Sequence, residues 1–245
     1  MNEIDAAVLH ARETWPTESV GLFYVRDGQR HYRRCTNVSP VPGDRFVIAP
    51  AEFAAVAALG EVVAVVHSHP GASGAPSVLD QAAHAAGGLE WVIVGLPSGV
   101  DGEADLVTLP AVSAPLPLLG RRFVHGVTDC YSLVRDWYRV ELGIGLPDFV
   151  RDDHWWQRGG DLYRKHFTEA GFAVVAGPPQ HGDVLLMQLG ASVPNHGAVY
   201  LSGDRVIHHL VGRLSSVDVY GKFFRERTTH VLRNLARPAH DPVAG

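Results

Sequence analysis

From Pro110 to Gly120 the chain reads PAVSAPLPLLG, and its three prolines keep any helix or sheet ladder from running through the middle of the molecule. The segment predicts a semi-rigid join, so the 245 residues are read as two domains, each long enough for its own core. The expected division is 1–112 for the first domain, 113–119 for the linker and 120–236 for the second, with a disordered tail at 237–245. No internal repeat relates the halves, so two different folds are expected.

Apolar residues make up 46% of the chain, and 26 acidic against 21 basic residues leave a charge of −5 with no basic patch. Nucleic acid is therefore not an expected partner. The N-terminal stretch MNEIDAAVLHARETWP is acidic where an export signal would be basic. The most apolar windows, 62–66 and 91–96, are strand-sized, so no membrane span is expected. Cys35 and Cys130 are the only cysteines, too few for a secreted disulfide framework.

In the first half, Ile4, Ala7, Val8 and Ala11 fall on one helical face, predicting a helix over 4–13 that Pro16 stops. Strands follow at 20–25 and 31–38 around an Asp27-Gly28 turn, then an extended piece at 46–48 and a helix at 51–59. A buried strand at 62–66, a loop at 70–76, a helix at 78–86 and strands at 91–96 and 104–109 complete an α/β unit. His67 and His69 flank Ser68 on an extended segment, so alternation puts both imidazoles on one face, where they can chelate one ion. Asp80 rides on the first turn of the next helix and can fold back as a third ligand. Glu18, at the entrance to an earlier strand, is free to take a proton from a water and pass it to a leaving amine. Ser77 and Asp80 alone would make only a helix capping box.

In the second half, apolar residues at 130, 133, 134 and 137 predict an amphipathic helix over 129–141, followed by a helix at 161–170. Strands are predicted at 183–189, 197–201, 205–209 and 229–235, an α+β order. Cys130 starts the first helix, where the partial positive charge of the helix end favours thiolate. His196 opens one strand, and His208 and His209 close its antiparallel neighbour, so a thiol, a base and an orienting group are available. Trp155 and Trp156 read as core or as the wall of a substrate groove, and Cys35 as a plain strand residue.

Glu18, His67-Ser68-His69-Pro70, Ser77 and Asp80 together resemble the JAMM motif of the JAB/MPN zinc-isopeptidase family, over about residues 3–110. The resemblance implies a mixed sheet with helices and Zn2+ on His67, His69 and Asp80. It also implies Glu18 as general acid/base and Ser77 as a stabiliser of the tetrahedral intermediate. Asp129-Cys130, Gly182-Asp183-Val184 and the strand from His196 to Tyr200 resemble the NlpC-type papain-like cell-wall peptidases, over about residues 120–235. That likeness implies a papain-like α+β domain with Cys130 as nucleophile, His196 as general base and His208 as orienting residue, His209 being the rival third member. Tyr131-Ser132 stands where the family has Ser-Gly, and Phe123 or His125 occupies the neighbourhood of its upstream oxyanion tyrosine.

The order of the two modules and the stretch FVHGVTDC at 123–130 resemble tail-assembly proteins of the phage lambda K type. The resemblance implies a thiol protease and metalloprotease of the phage tail tip. Its expected substrate is the peptide stem of peptidoglycan, cut beside D-glutamate and diaminopimelate, while the zinc half processes a phage protein. Other tail-tip proteins are the implied partners, and the implied route runs from the bacterial cytoplasm to the virion tail. A deubiquitinase-like metalloprotease, a host cell-wall enzyme and a non-catalytic tail-assembly scaffold are the alternatives.

Overall fold

The computed structural model describes residues 2–114, 116–151 and 154–237. The chain divides into two compact units, Met1–Pro115 and Leu116–Gly245. Both are of the mixed α+β class expected from the sequence, and each has its own sheet.

The first unit opens with helix α1 (Glu3–Thr14), started by a reciprocal capping box between Asn2 and Asp5. Strands β1 (Val20–Arg26) and β2 (Gln29–Cys35) form a hairpin through Asp27 and Gly28, both at positive φ, as a tight right-twisting turn requires. Helix α2 (Pro50–Ala57), strand β3 (Glu61–Pro70), helix α3 (Val78–Gly87), strand β4 (Glu90–Leu96) and strand β5 (Asp105–Leu109) follow. The sheet order is β2-β1-β3-β4-β5, with β3 and β4 parallel across the α3 connection and the other pairs antiparallel. Ala7 and Ala11 of α1 pack with Phe23, Val66, Val94 and Leu96 in one core, while Val20, Leu22, Val65 and Trp91 meet Val56 of α2 in another. Burial on both faces explains why β3 and β4 read as unbroken apolar runs.

Two details bear on the site. The stretch at 46–48, expected to be extended, pairs through a bridge from Asn37 to Ile48. The Asn37 side chain takes over the backbone here, accepting from Ser39 N and Val47 N and donating to the carbonyls of Glu18 and Arg45. Strand β3 also runs on to Pro70, so His67 and His69 lie inside a paired strand, opposite Ile93 and Gly95 of β4.

The second unit begins its regular structure with helix α4 (Cys130–Leu142), then a short 3-10 turn (Trp155–Arg158) and helix α5 (Leu162–His166). Strands β6 (Phe172–Val174), β7 (Val184–Met187), β8 (His196–Leu201), β9 (Arg205–His208) and β10 (Ser216–Val219), helix α6 (Lys222–Arg225) and strand β11 (Thr228–Asn234) complete it. The sheet order is β10-β9-β8-β7-β11-β6, antiparallel throughout. Leu133, Val134, Trp137 and Tyr138 of α4 cover one face, against Val184, Leu186, Val199 and Ile207, and Phe224 of α6 packs on the other. Strands β6 and β10 and helix α6 escape the sequence reading because three or four residues carry no usable periodicity. The helix expected at 161–170 is regular only over Leu162–His166, since Gly171, at φ 83, turns the chain directly into β6.

Arg237, assigned to the terminal tail from sequence, instead donates to the carbonyl of His181 and to Asp183 Oδ1. Residues 238–245 of that expected tail lie outside the described residues. Among the described residues, no helix is long and apolar enough to cross a membrane.

Two candidate active sites

In the first unit, His67 Nε2 and His69 Nε2 lie 3.1 Å apart. Asp80 closes the triangle, with Oδ1 3.2 Å from His67 and Oδ2 3.2 Å from His69. Local structure fixes each member. Phe46 and Trp91 pack on the His67 ring at centroid distances of 4.7 and 5.3 Å. His69 Nδ1 faces the Ser73 carbonyl at 2.9 Å, which puts a proton on Nδ1 and leaves the Nε2 lone pair toward the triangle. Asp80 sits at the third position of α3, held by a capping box in which Ser77 Oγ accepts from Asp80 N and Asp80 Oδ2 accepts from Ser77 N at 2.7 Å.

An imidazole lone pair directed at an acceptor-only carboxylate is repulsive unless a cation lies between them, so the arrangement asks for a positive centre. Tetrahedral ligands bonded at roughly 2.0–2.1 Å stand about 3.3 Å apart, close to the separations seen, so these three groups fit a small divalent ion such as zinc. Buried Glu18 lies close enough to feel the charges of His69 and Asp80, and burial pushes its carboxyl up to about 7. A bound cation would draw it down again. Ser77 is exposed, and its hydroxyl is engaged as the helix cap. That contact occupies Ser77 Oγ as an acceptor and leaves its O–H free to donate.

In the second unit, a cavity of about 480 Å3 holds Cys130, His196, Tyr163, Trp155, Trp156 and His209 among its lining residues. Cys130 is the first residue of α4, whose cap is the buried Asp129. The Asp129 carboxylate accepts from Ser132 N, Ser132 Oγ and Gly126 N at 2.9 Å each, and from Arg151 Nε at 2.7 Å. The helix end favours a thiolate at this position, and the surroundings of the sulfur act on it as well. Burial and the neighbouring Asp129 carboxylate push the Cys130 thiol up, while the Tyr163 hydroxyl, the Gly197 N–H and Arg151 draw it down in part. Its hydrogen-bond partner is the hydroxyl of Tyr163 on α5, 3.2 Å away. Among the described residues no Cys130 to His196 bond is formed.

His196 Nε2 lies 3.2 Å from His208 Nδ1, and His208 Nε2 lies 3.1 Å from Asp218 Oδ2. His209, the rival third member, turns instead to the Arg213 carbonyl at 3.2 Å and to an edge contact with Phe123. Burial, with His208 and His209 close by, lowers His196 to about 3, so its imidazole is neutral at ordinary pH. Sequence reasoning missed Tyr163 and Asp218. Tyr163 is remote from Cys130 in sequence, and Asp218 sits on the short edge strand β10; no local pattern marks either.

The family model described as prokaryotic homologs of the JAB domain matches residues 2–107, and the NlpC/P60 family model matches residues 120–233. The chain is 39% identical over 232 residues to tail tip assembly protein K of Escherichia phage N15, covering 94% of this chain and 93% of that protein. It belongs to the tail tip assembly protein K family. The same-named protein of Escherichia phage lambda is 37% identical over 190 residues, covering 77% of this chain and 90% of that one. Similar solved structures include an NLP/P60-family lipoprotein-like protein of Staphylococcus aureus, 17% identical with a TM-score of 0.35, covering 47% of this chain and 37% of that one. The NlpC/P60 domain of the peptidoglycan hydrolase SagA is 18% identical with a TM-score of 0.31, covering 47% of this chain and 89% of that one.

Proposed function

We propose that this protein is a tail-tip assembly peptidase of a long-tailed phage, made in the bacterial cytoplasm and carried in the virion tail with other tail-tip proteins. In this reading residues 120–236 form a cysteine peptidase that hydrolyses peptidoglycan stems, at the bond between D-glutamate and diaminopimelate. The observation that carries it is the Cys130 thiol at the head of α4, lining one cavity with an imidazole, His196, that is itself braced by His208.

The chemistry follows from those groups. As Cys130 Sγ attacks the scissile carbonyl carbon, its proton passes to His196. The carbonyl oxygen gains the negative charge, and the Tyr163 hydroxyl, whose own ionisation is pushed well above the usual range by burial and by Cys130, stays a donor for it. His196 returns the proton to the leaving amine, and water then splits the thioester to free the acid and the thiol.

The N-terminal residues 1–112 are read as a zinc-dependent isopeptidase-like hydrolase acting on a phage protein. His67, His69 and Asp80 would hold Zn2+, which when bound supplies a polarising Lewis acid and an acidified water. Glu18 shuttles the proton, and Ser77 keeps Asp80 in place.

The deciding experiment is digestion of purified stem peptides by wild type, by Cys130→Ala, and by wild type with a zinc chelator, read by mass spectrometry. Cleavage that disappears in Cys130→Ala and survives chelation is expected. Absence of cleavage in every arm would overturn the cell-wall reading and favour a scaffolding role.

A further inference from the structure

We propose that Asp218 is a positioning residue that fixes the tautomers of His208 and His196, leaving Nδ1 of His196 as the nitrogen able to take the Cys130 proton. The inference rests on the reading of His196 as the base. Its geometry comes from strand register. His208 on β9 pairs with Ala198 on β8, two residues past His196, and Ser216 on β10 pairs with His208, two residues before Asp218. The three side chains therefore step diagonally across adjacent strands on one face of the sheet, within reach of one another.

Proton bookkeeping then runs inward from the edge strand. The Asp218 carboxylate is kept ionised by His208 and by Arg213, whose Nη1 lies 3.3 Å from Oδ2, and Ser216 Oγ lies 3.5 Å from Oδ1. A carboxylate only accepts, so His208 Nε2, 3.1 Å from it, carries a hydrogen. Neutral His208 then presents a lone pair at Nδ1, and His196 Nε2, 3.2 Å from that atom, must be the donor. His196 Nδ1 is left bare. Reversing the two tautomers would put a hydrogen on that nitrogen and remove the base. His196 and His208 are almost wholly buried, so bulk solvent has little access to set the tautomer instead.

The test is long-range 15N–1H correlation of the histidine-labelled full chain, which reads each ring's tautomer directly, with single histidine substitutions for assignment. Wild type is expected to show both His196 and His208 protonated at Nε2 alone. Asp218→Ala should turn the single His196 tautomer into a mixture, and Asp218→Glu, which keeps an acceptor, should restore it. On stem peptides, Asp218→Ala should lower kcat about 10- to 100-fold with KM little changed, less than the roughly 10⁴-fold seen when a carboxylate touching the base itself is lost. A wild-type His196 protonated at Nδ1, or a His196 tautomer unchanged in Asp218→Ala, overturns the proposal. If wild type cuts no stem peptide, the peptidase reading fails while the tautomer result still decides the role of Asp218.

Discussion

A β-carbon on Gly197 would stand 2.9 Å from the phenolic oxygen of Tyr163, the same oxygen that lies 3.2 Å from Cys130 Sγ. The strand that opens with His196 thus has a gap in its side-chain row that admits the hydroxyl beside the thiol. Gly197→Ala is expected to push Tyr163 aside at a cost of about 1–3 kcal/mol, the usual range for overpacking. Turnover of stem peptides should fall to the level of Tyr163→Phe, with the double variant no worse than either. Additive losses in that cycle would show that the two residues act separately.

Asp183 is fully buried and holds two arginines, accepting from Arg233 at 2.9 and 2.7 Å and from Arg237 at 2.9 Å. It ties the start of β7 to the end of the described chain. Asp183→Ala takes the carboxylate from Arg233, which is partly exposed, and from Arg237, which keeps the His181 carbonyl, and should cost about 1.5–3 kcal/mol in urea denaturation. A loss below about 1 kcal/mol, the worth of a surface pair, would mean that solvent takes over the arginines.

Acid should weaken the second unit before it affects most surface groups. His196 titrates at about 3 in the folded protein, against roughly 6.5 for an unstructured histidine, chiefly because it is buried. The unfolded chain therefore binds more protons between those values. Stability from this residue is full above about pH 6.5 and is lost as pH falls toward 3, at about 1.4 kcal/mol per pH unit. His208 and His209 are shifted in the same direction, also mainly by burial. Denaturation midpoints at pH 7 and pH 5 check this, and His196→Asn should reduce the difference, leaving the share from His208 and His209.

Ser77→Ala removes the side-chain half of the α3 capping box and should cost about 1 kcal/mol. The cap steadies the turn that carries Asp80, while the Ser77 N–H bond to Asp80 Oδ2 is kept, so zinc affinity should also fall, by about 10-fold at most. Ser77→Thr, which can cap the helix in the same way, should recover both. Competition with a chromophoric chelator measures the affinity. An unchanged affinity in Ser77→Ala would return Ser77 to a purely chemical role.

Much of the fold was legible because burial patterns repeat locally. The two-face burial of β3 and β4 appears as unbroken valine and isoleucine runs, and the single buried stripe of α4 as apolar residues at helical spacing. The triangle of His67, His69 and Asp80 was legible for a similar reason. Two of its members alternate on one strand, and the third is fixed by a cap only three residues long.

The sequence by itself determined the two halves, the reactive residue types and their order along the chain, since these depend on composition, proline punctuation and short-range periodicity. Tertiary structure decided what those groups can do. It set Cys130 beside the buried Asp129 carboxylate, which together with desolvation pushes the thiol up. It brought Tyr163 to the thiol from thirty-three residues away. It also set His208, the last residue of β9, between His196 and Asp218, while His209, just past the strand end, turns to the Arg213 carbonyl.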